Sequence, residues 1–214
     1  VQTSFNLFKY FNINPSFNYQ ERWYFQKVDK EWDPVAKQVI DSDTTWGFYR
    51  LYNYSMSVSA STKVYGTYQF KKGAAIQAIR HMITPSVSFS YTPDFGKNGY
   101  GYYKQVQSDT MGRMMTYSPF ANGLYGVPSS GPSMSLNFSV SQTLEMKVRD
   151  KKDTTGVRKI KLIDNLMISS SYNFLADSLN LSPFSLSLRT NLFKNVGLNV
   201  TATLDPYQVD PVTG

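Results

Sequence analysis

From Phe11 to Phe25 the side chains alternate residue by residue. One parity carries Phe11, Ile13, Phe17, Tyr19, Trp23 and Phe25, interrupted by Pro15 and Glu21. The other carries Asn12, Asn14, Ser16, Asn18, Gln20, Arg22 and Tyr24. Successive side chains of a strand point to opposite faces, so this stretch predicts a strand with one apolar and one polar face. It is longer than the five or six residues usual in soluble proteins. It suits the roughly 9–11 residues that a strand needs to cross a bilayer.

The pattern recurs. Tyr52, Tyr54, Met56, Val58 and Val64 oppose Asn53, Ser55, Ser57, Ser59, Ser61 and Lys63. Ile83, Val87, Phe89 and Tyr91 oppose Arg80, Thr84, Ser86, Ser88 and Ser90. Leu136, Phe138 and Val140 oppose Asn137, Ser139 and Ser141, and the alternation runs on to Val148. Further strands are predicted around Leu166–Phe174, Phe184–Leu188 and Val196–Leu204, giving seven with a partial one before Leu7. The joins fall near 8–10, 29–45, 71–79, 94–131, 149–160, 175–179, 192–195 and from 205 onward. Alternate joins share a side of the sheet, and the two long ones, 29–45 and 94–131, fall on the same side. Outer-membrane barrels have short periplasmic turns and long extracellular loops, so the long pair is predicted to be extracellular. The 94–131 segment, rich in glycine and tyrosine, is either folded over or into the barrel mouth or a mobile surface loop.

Composition agrees. Aromatics make up 15% of the chain and no apolar run is long enough for a membrane helix, while strands hide their apolar residues at alternate positions. The expected fold is therefore an all-β, antiparallel transmembrane β-barrel. All of residues 1–214 form one segment of about seven or eight strands, taken as part of a larger barrel in a Gram-negative outer membrane. The chain opens on an alternating stretch with no leader pattern, as a piece of a longer protein would.

Little chemistry is on offer. There is no cysteine and a single histidine, His81, next to Arg80. Asp41, Asp43, Asp94 and Asp109 lie in predicted loops without calcium-motif spacing, and no phosphate cradle or nucleophile elbow is present. The reading is non-enzymatic, with no cofactor and no metal. Candidate lumen-facing positions on the polar parities are Asn12, Asn14, Asn18, Arg22, Asn53, Ser57, Ser61, Arg80, Ser86, Asn137, Ser141 and Glu145. Pro15, Pro85 and Pro183 fall in predicted strands, where each removes a ladder hydrogen bond. They either weaken a seam through which a lipid could leave sideways, or mark bulges or rim positions. The net charge is +7, with Lys71, Lys72, Arg149, Lys151, Lys152, Arg158, Lys159 and Lys161 at predicted periplasmic turns. That charge is either ordinary solvated turn charge or a contact for an anionic glycolipid or acidic partner. Nucleic acid is disfavoured, because the cations follow turns rather than a groove with stacking aromatics.

Several segments resemble the LPS-assembly outer-membrane translocon family (LptD-like, organic solvent tolerance protein). They are Ile79-Arg80-His81-Met82-Ile83-Thr84-Pro85-Ser86-Val87-Ser88-Phe89-Ser90-Tyr91, Lys161-Leu162-Ile163-Asp164-Asn165-Leu166, Phe174-Leu175-Ala176-Asp177-Ser178-Leu179 and Leu204-Asp205-Pro206-Tyr207. The resemblance implies a large barrel that moves lipopolysaccharide through a polar lumen and releases it laterally into the outer leaflet, without covalent chemistry. It also implies a plug lipoprotein, periplasmic bridge proteins, contact with outer-membrane lipids, and the remaining strands of the barrel as partners. The family's periplasmic jellyroll domain and its disulfides have no counterpart in this sequence. The alternatives are a structural or adhesin-like barrel whose loops bind a partner, and a diffusion pore.

Overall fold

The computed structural model describes residues 1–71, 73–150, 156–192 and 196–207. Eleven strands are present among them: β1 Phe5–Leu7, β2 Phe11–Asp33, β3 Gln38–Thr62, β4 Val64–Gln69, β5 Ile76–Thr92, β6 Lys104–Gln107, β7 Met114–Tyr117, β8 Ser133–Arg149, β9 Val157–Asn173, β10 Phe184–Leu192 and β11 Val196–Leu204. The only helical element described is one 3₁₀ turn at Asn98–Tyr100. The main sheet has nine strands in the order β1-β2-β3-β5-β8-β9-β10-β11, with β4 paired to β5; β6 and β7 form a separate hairpin. The β1–β2, β4–β5, β6–β7, β8–β9, β9–β10 and β10–β11 ladders are antiparallel. No pairing joins β1 to β11 among the described residues.

Sequence order and sheet order run together because successive strands of the main sheet return beside one another, even across the long 93–132 segment between β5 and β8. β3 and β4 are a single pass interrupted at Lys63. The Phe8-Lys9 turn has positive φ at both residues, 51° and 65°, a conformation that asparagine and glycine adopt more readily.

The expected loop at 29–45 is not a loop. β2 runs on to Asp33 and β3 begins at Gln38, which leaves only residues 34–37 as a turn. The Asp33 side chain accepts the Val35 and Ala36 N–H groups at 2.8 and 3.1 Å, and Lys37 has φ 53°. Apolar alternation fades here, in strand ends whose residues are mostly polar or charged. The ladder needs only backbone hydrogen bonds and pairs such as Lys30–Asp41 at 3.7 Å. The two strands have 23 and 25 residues. At about 3.4 Å per residue they reach roughly 80 Å, more than a tilted strand needs to cross some 30 Å of hydrocarbon.

The chain divides into two compact units, each described by itself. The first comprises Val1, Phe17–Met56 and Tyr91–Ser133; the second comprises Gln2–Ser16, Ser57–Ser90 and the chain from Met134 onward. The core of the first unit is aromatic, with Tyr24, Leu51, Phe95, Tyr102 and Phe120 buried together and Tyr49, Tyr54, Tyr100, Tyr103 and Val127 packed against them. In the second unit nearly every side chain lies on one or the other open face of the sheet.

Candidate functional site

The second unit sorts its side chains by register. Ser139 lies opposite Ser169, Ser169 opposite Ser185, and Ser185 opposite Thr203. One position along, Val140 lies opposite Ile168, Ile168 opposite Leu186, and Leu186 opposite Ala202. Since cross-strand partners share a face, one face is a field of hydroxyls and the other a field of aliphatic groups. On the apolar face Phe138 and Phe184 meet edge-on at 6.1 Å. The residue opposite Phe138 is Ser170, small and buried, whose hydroxyl donates to the Ser182 carbonyl at 2.6 Å.

The polar face is knitted by its own hydroxyls. Ser86 and Ser139 lie 2.7 Å apart, Ser90 and Ser135 2.9 Å, and the Ser141 hydroxyl donates to Asn165 at 2.6 Å. A hollow of about 380 Å³ opens among Ser86, Asn137, Ser139, Ser169, Ser171 and Ser185, with Pro183 at its margin. Hydroxyls that pair side to side keep a spare donor or acceptor for water or a polar ligand.

Arg22 donates to Asn53 at 3.0 Å and to Gln20 at 2.9 Å, while its buried Nε has no partner among the described residues. Ser57 donates to Ser16 at 3.2 Å. Arg80 and Glu145 line one small hollow with Met82 and Thr143, and the Arg80 guanidinium lies 4.7 Å over the Tyr65 ring. Ser86 and Asn137 line the serine hollow, and Ser141 holds Asn165. Asn12 faces Asn6 across the β1–β2 ladder. Asn14, Asn18 and Ser61 lie in β2 and β3 with no side-chain bond among those described. His81 meets Gln142 at 3.1 Å.

The prolines differ in setting. Pro15 accepts the Thr3 N–H at 3.3 Å but has none to return, so the lost bond falls on the side of the N-terminal segment. Pro85 lies in β5 two residues from Ile83, whose partner Val64 follows the break at Lys63. Pro183 was expected inside a strand, but β10 starts one residue later, at Phe184. Leu181 bridges Tyr172 whereas Ser185 pairs with Ser169, a one-residue slip that makes a bulge at Ser182-Pro183.

Periodicity did not reveal how the 94–131 segment is held. In the first unit Asp94 accepts the Gly96 and Gly131 N–H groups, each at 2.8 Å, so one carboxylate ties both ends of the segment together. Tyr102 is buried, and its hydroxyl accepts the Tyr52 N–H at 2.8 Å and donates back to the Tyr52 carbonyl at 3.2 Å. Burial raises the Tyr102 hydroxyl above its usual pKa. Val28 donates to the Pro119 carbonyl at 2.8 Å, and Lys30 N–H donates to the Tyr117 hydroxyl at 3.0 Å. Lys104 bonds Asp29 at 2.6 Å, a contact that raises the lysine pKa. The mobile-loop alternative does not fit so many anchors. The signal for them was the tyrosine content of the loop, which periodicity does not weigh.

The other carboxylates considered for calcium are also engaged. Asp109 accepts from the Arg113 and Met111 backbones and pairs with the Arg113 guanidinium, Asp41 pairs with Lys30, and Asp43 accepts the Thr45 hydroxyl at 3.3 Å. Among the described residues no cluster of three or more histidines and carboxylates could hold a metal.

On the apolar face of the first unit, aromatic pairs run along β2 and β3: Phe17 with Tyr54, Tyr19 with Tyr52, and Trp23 with Phe48 at 5.8 Å. Trp23 and Phe48 remain 59% and 61% exposed. An antiparallel sheet that shows rings and aliphatic chains outward on one face and hydroxyls on the other is the wall of a transmembrane β-barrel. No described helix is long and apolar enough to cross a membrane. The chain belongs to the LptD protein family, whose model matches residues 1–207. No curated protein and no solved structure matches it.

Proposed function

We propose that this chain is part of a barrel wall that conducts lipopolysaccharide to the outer leaflet of a Gram-negative outer membrane by non-covalent passage. Family membership sets the coarse role, lipopolysaccharide transport rather than catalysis. The observation that carries the finer reading is the unbroken Ser139, Ser169, Ser185, Thr203 row standing back to back with Val140, Ile168, Leu186, Ala202. An amphiphile with a large polar headgroup and acyl chains needs such a wall, with hydroxyls to solvate the sugars on the inside and lipid contact on the outside. Asn12, Asn14, Asn18, Arg22, Asn53, Ser57, Ser61, Arg80, Ser86, Asn137, Ser141 and Glu145 are assigned to the lumen. Residues 94–131 and the 34–37 turn are assigned to the extracellular side.

Both edges of the sheet, β1 and β11, carry backbone groups that hydrocarbon would leave unpaired at several kcal/mol each. Further strands of the same barrel must cover them. A plug lipoprotein inside the barrel and periplasmic bridge proteins complete the set of partners. Lateral release needs a place where the ladder opens cheaply. Pro15, Pro85 and the bulge at Pro183 are the weakened positions available here. The test is depletion of the parent protein while newly made lipopolysaccharide is followed to the cell surface. Arrest in the periplasm or inner membrane is expected, and undiminished surface delivery would reject the reading.

A further inference from the structure

At the end of the second unit's polar face, where β8 runs out towards Arg149, the register stacks like charges. Lys147 lies directly opposite Lys159, and two pairs back, away from the strand end, Glu145 lies opposite Lys161. Two register shifts between Gln142 and Glu145 absorb two extra residues of β9. Parity is therefore conserved, and these side chains share a face with Ser139 and Ser141. Arg80 joins them across the hollow it shares with Glu145. The Arg149 N–H donates to the Ala75 carbonyl at 2.9 Å, which holds the strand end beside the connection that carries Lys71. Arg158 points to the other face opposite Val148 and pairs with Asp150 at 3.9 Å.

The charges do not cancel. Glu145 has Lys161 across the ladder and Arg80 beside it, and Lys161 also lies 3.9 Å from Asp164. Nothing among the described residues neutralises Lys147 or Lys159. Like charges directly opposed on a ladder repel, and nothing in the fold requires them there. Local rules broken without a structural gain are where function is to be sought.

We propose that Lys147 and Lys159, flanked by Arg80 and Lys161, form a phosphate-binding step that receives the phosphorylated headgroup of a glycolipid as it reaches the polar face. This rests on the transport reading above and adds the group recognised and the residues that recognise it. A lipid headgroup fits better than an acidic protein because the cations stand in line with the serine row. About eight residues, or some 27 Å, separate Lys147 from Ser139 along one strand face. An occupant that leaves the lysines therefore meets hydroxyls next.

The experiment measures binding of bisphosphorylated lipid A and of the same lipid with both phosphates removed, to the full-length parent protein in detergent. Wild type is expected to prefer the phosphorylated lipid by about ten-fold, a margin that shrinks with salt. Lys147→Gln with Lys159→Gln should erase the margin, and Lys147→Arg with Lys159→Arg should keep it. Equal binding of both lipids by wild type overturns the proposal, as does a margin that survives the glutamine pair. An acidic protein as the natural occupant would give that first result. Inorganic pyrophosphate should compete only at far higher concentration than the lipid, and equal competition would overturn the headgroup assignment in favour of free phosphate. A margin that persists although depletion leaves surface delivery normal would reject transport and keep the site. Arrested delivery without a margin would reject the site alone.

Discussion

Removing one oxygen from Tyr102 should loosen the long connecting segment without unfolding the sheet. β5 has 17 residues and stops at Thr92, so β3, its neighbour in the sheet with 25 residues, runs on without it. At Tyr52 the Tyr102 hydroxyl stands in for a ladder partner, bonding both the N–H and the carbonyl, at 2.8 and 3.2 Å. Tyr102→Phe leaves both groups without that partner while preserving the ring and its contacts with Tyr52 and Tyr100 at 6.3 and 5.5 Å. An abandoned buried donor or acceptor costs about 1–3 kcal/mol. Water entering from the edge should recover part of this, leaving a local loss of roughly 2 kcal/mol. Because 1.4 kcal/mol is ten-fold in an equilibrium, hydrogen exchange at the Tyr52 amide should speed up about 30-fold. Amides within β9 and β10 should keep their wild-type rates. Unchanged exchange at Tyr52 would refute the edge-capping role, and accelerated exchange throughout β8–β10 would refute its locality.

Other expectations are equally concrete. A Cβ on Gly123 would fall 2.0 Å from Tyr24 Cε1 and 3.1 Å from the Phe120 carbonyl, so Gly123→Ala should cost roughly 1–3 kcal/mol and open the 93–132 segment to limited proteolysis. Phe8→Asn with Lys9→Gly relieves two left-handed residues and should raise the unfolding free energy by about 1–2 kcal/mol in a urea titration, whereas a fall would show that the turn is not strained. Hydrogen bonds from the Arg113 backbone and side chain hold the Asp109 carboxyl below its usual pKa. The stability it lends the β6–β7 hairpin is thus fully present above the ordinary carboxylate range and is lost only as pH falls through the lowered value. NMR titration should show the Met111 and Arg113 amide shifts constant from pH 8 to 5 and moving well below pH 4, and movement near pH 5 would contradict the assignment.

The strands were legible where both solvents act on them. Lipid on one side and water on the other write an alternating pattern, and Ser139/Val140 or Ser185/Leu186 can be assigned to faces from sequence alone. The adjoining ends of β2 and β3 were not legible, because Asp29–Asp33 and Asp41–Asp43 carry no apolar alternation and their polar run reads as a loop. The bulges at Gln142–Glu145 and Ser182-Pro183 were invisible for another reason. A register slip is a property of two strands, and neither sequence records it alone. The lysine step followed from that same pairing: Lys159 and Lys161 read as turn cations until register set one opposite Lys147 and the other opposite Glu145. Tyr102 and Asp94 belonged to a stretch whose tyrosines and glycines marked it as special without saying what each would hold.

A transport role for this wall requires the aliphatic face to meet lipid and the serine face to meet water. Residues 1–214 contain no cysteine, so an introduced one is the single labelling site within this segment. Placed in turn at Ser139, Val140, Ser169, Ile168, Ser185 and Leu186 of the parent protein in native membranes, it can carry a spin label whose collisions with oxygen and with an aqueous nickel chelate are compared. Labels at Val140, Ile168 and Leu186 should collide mainly with oxygen dissolved in lipid, and those at Ser139, Ser169 and Ser185 mainly with the chelate. Equal accessibility at adjacent positions, or the opposite alternation, would contradict the assignment of the serine face to the lumen.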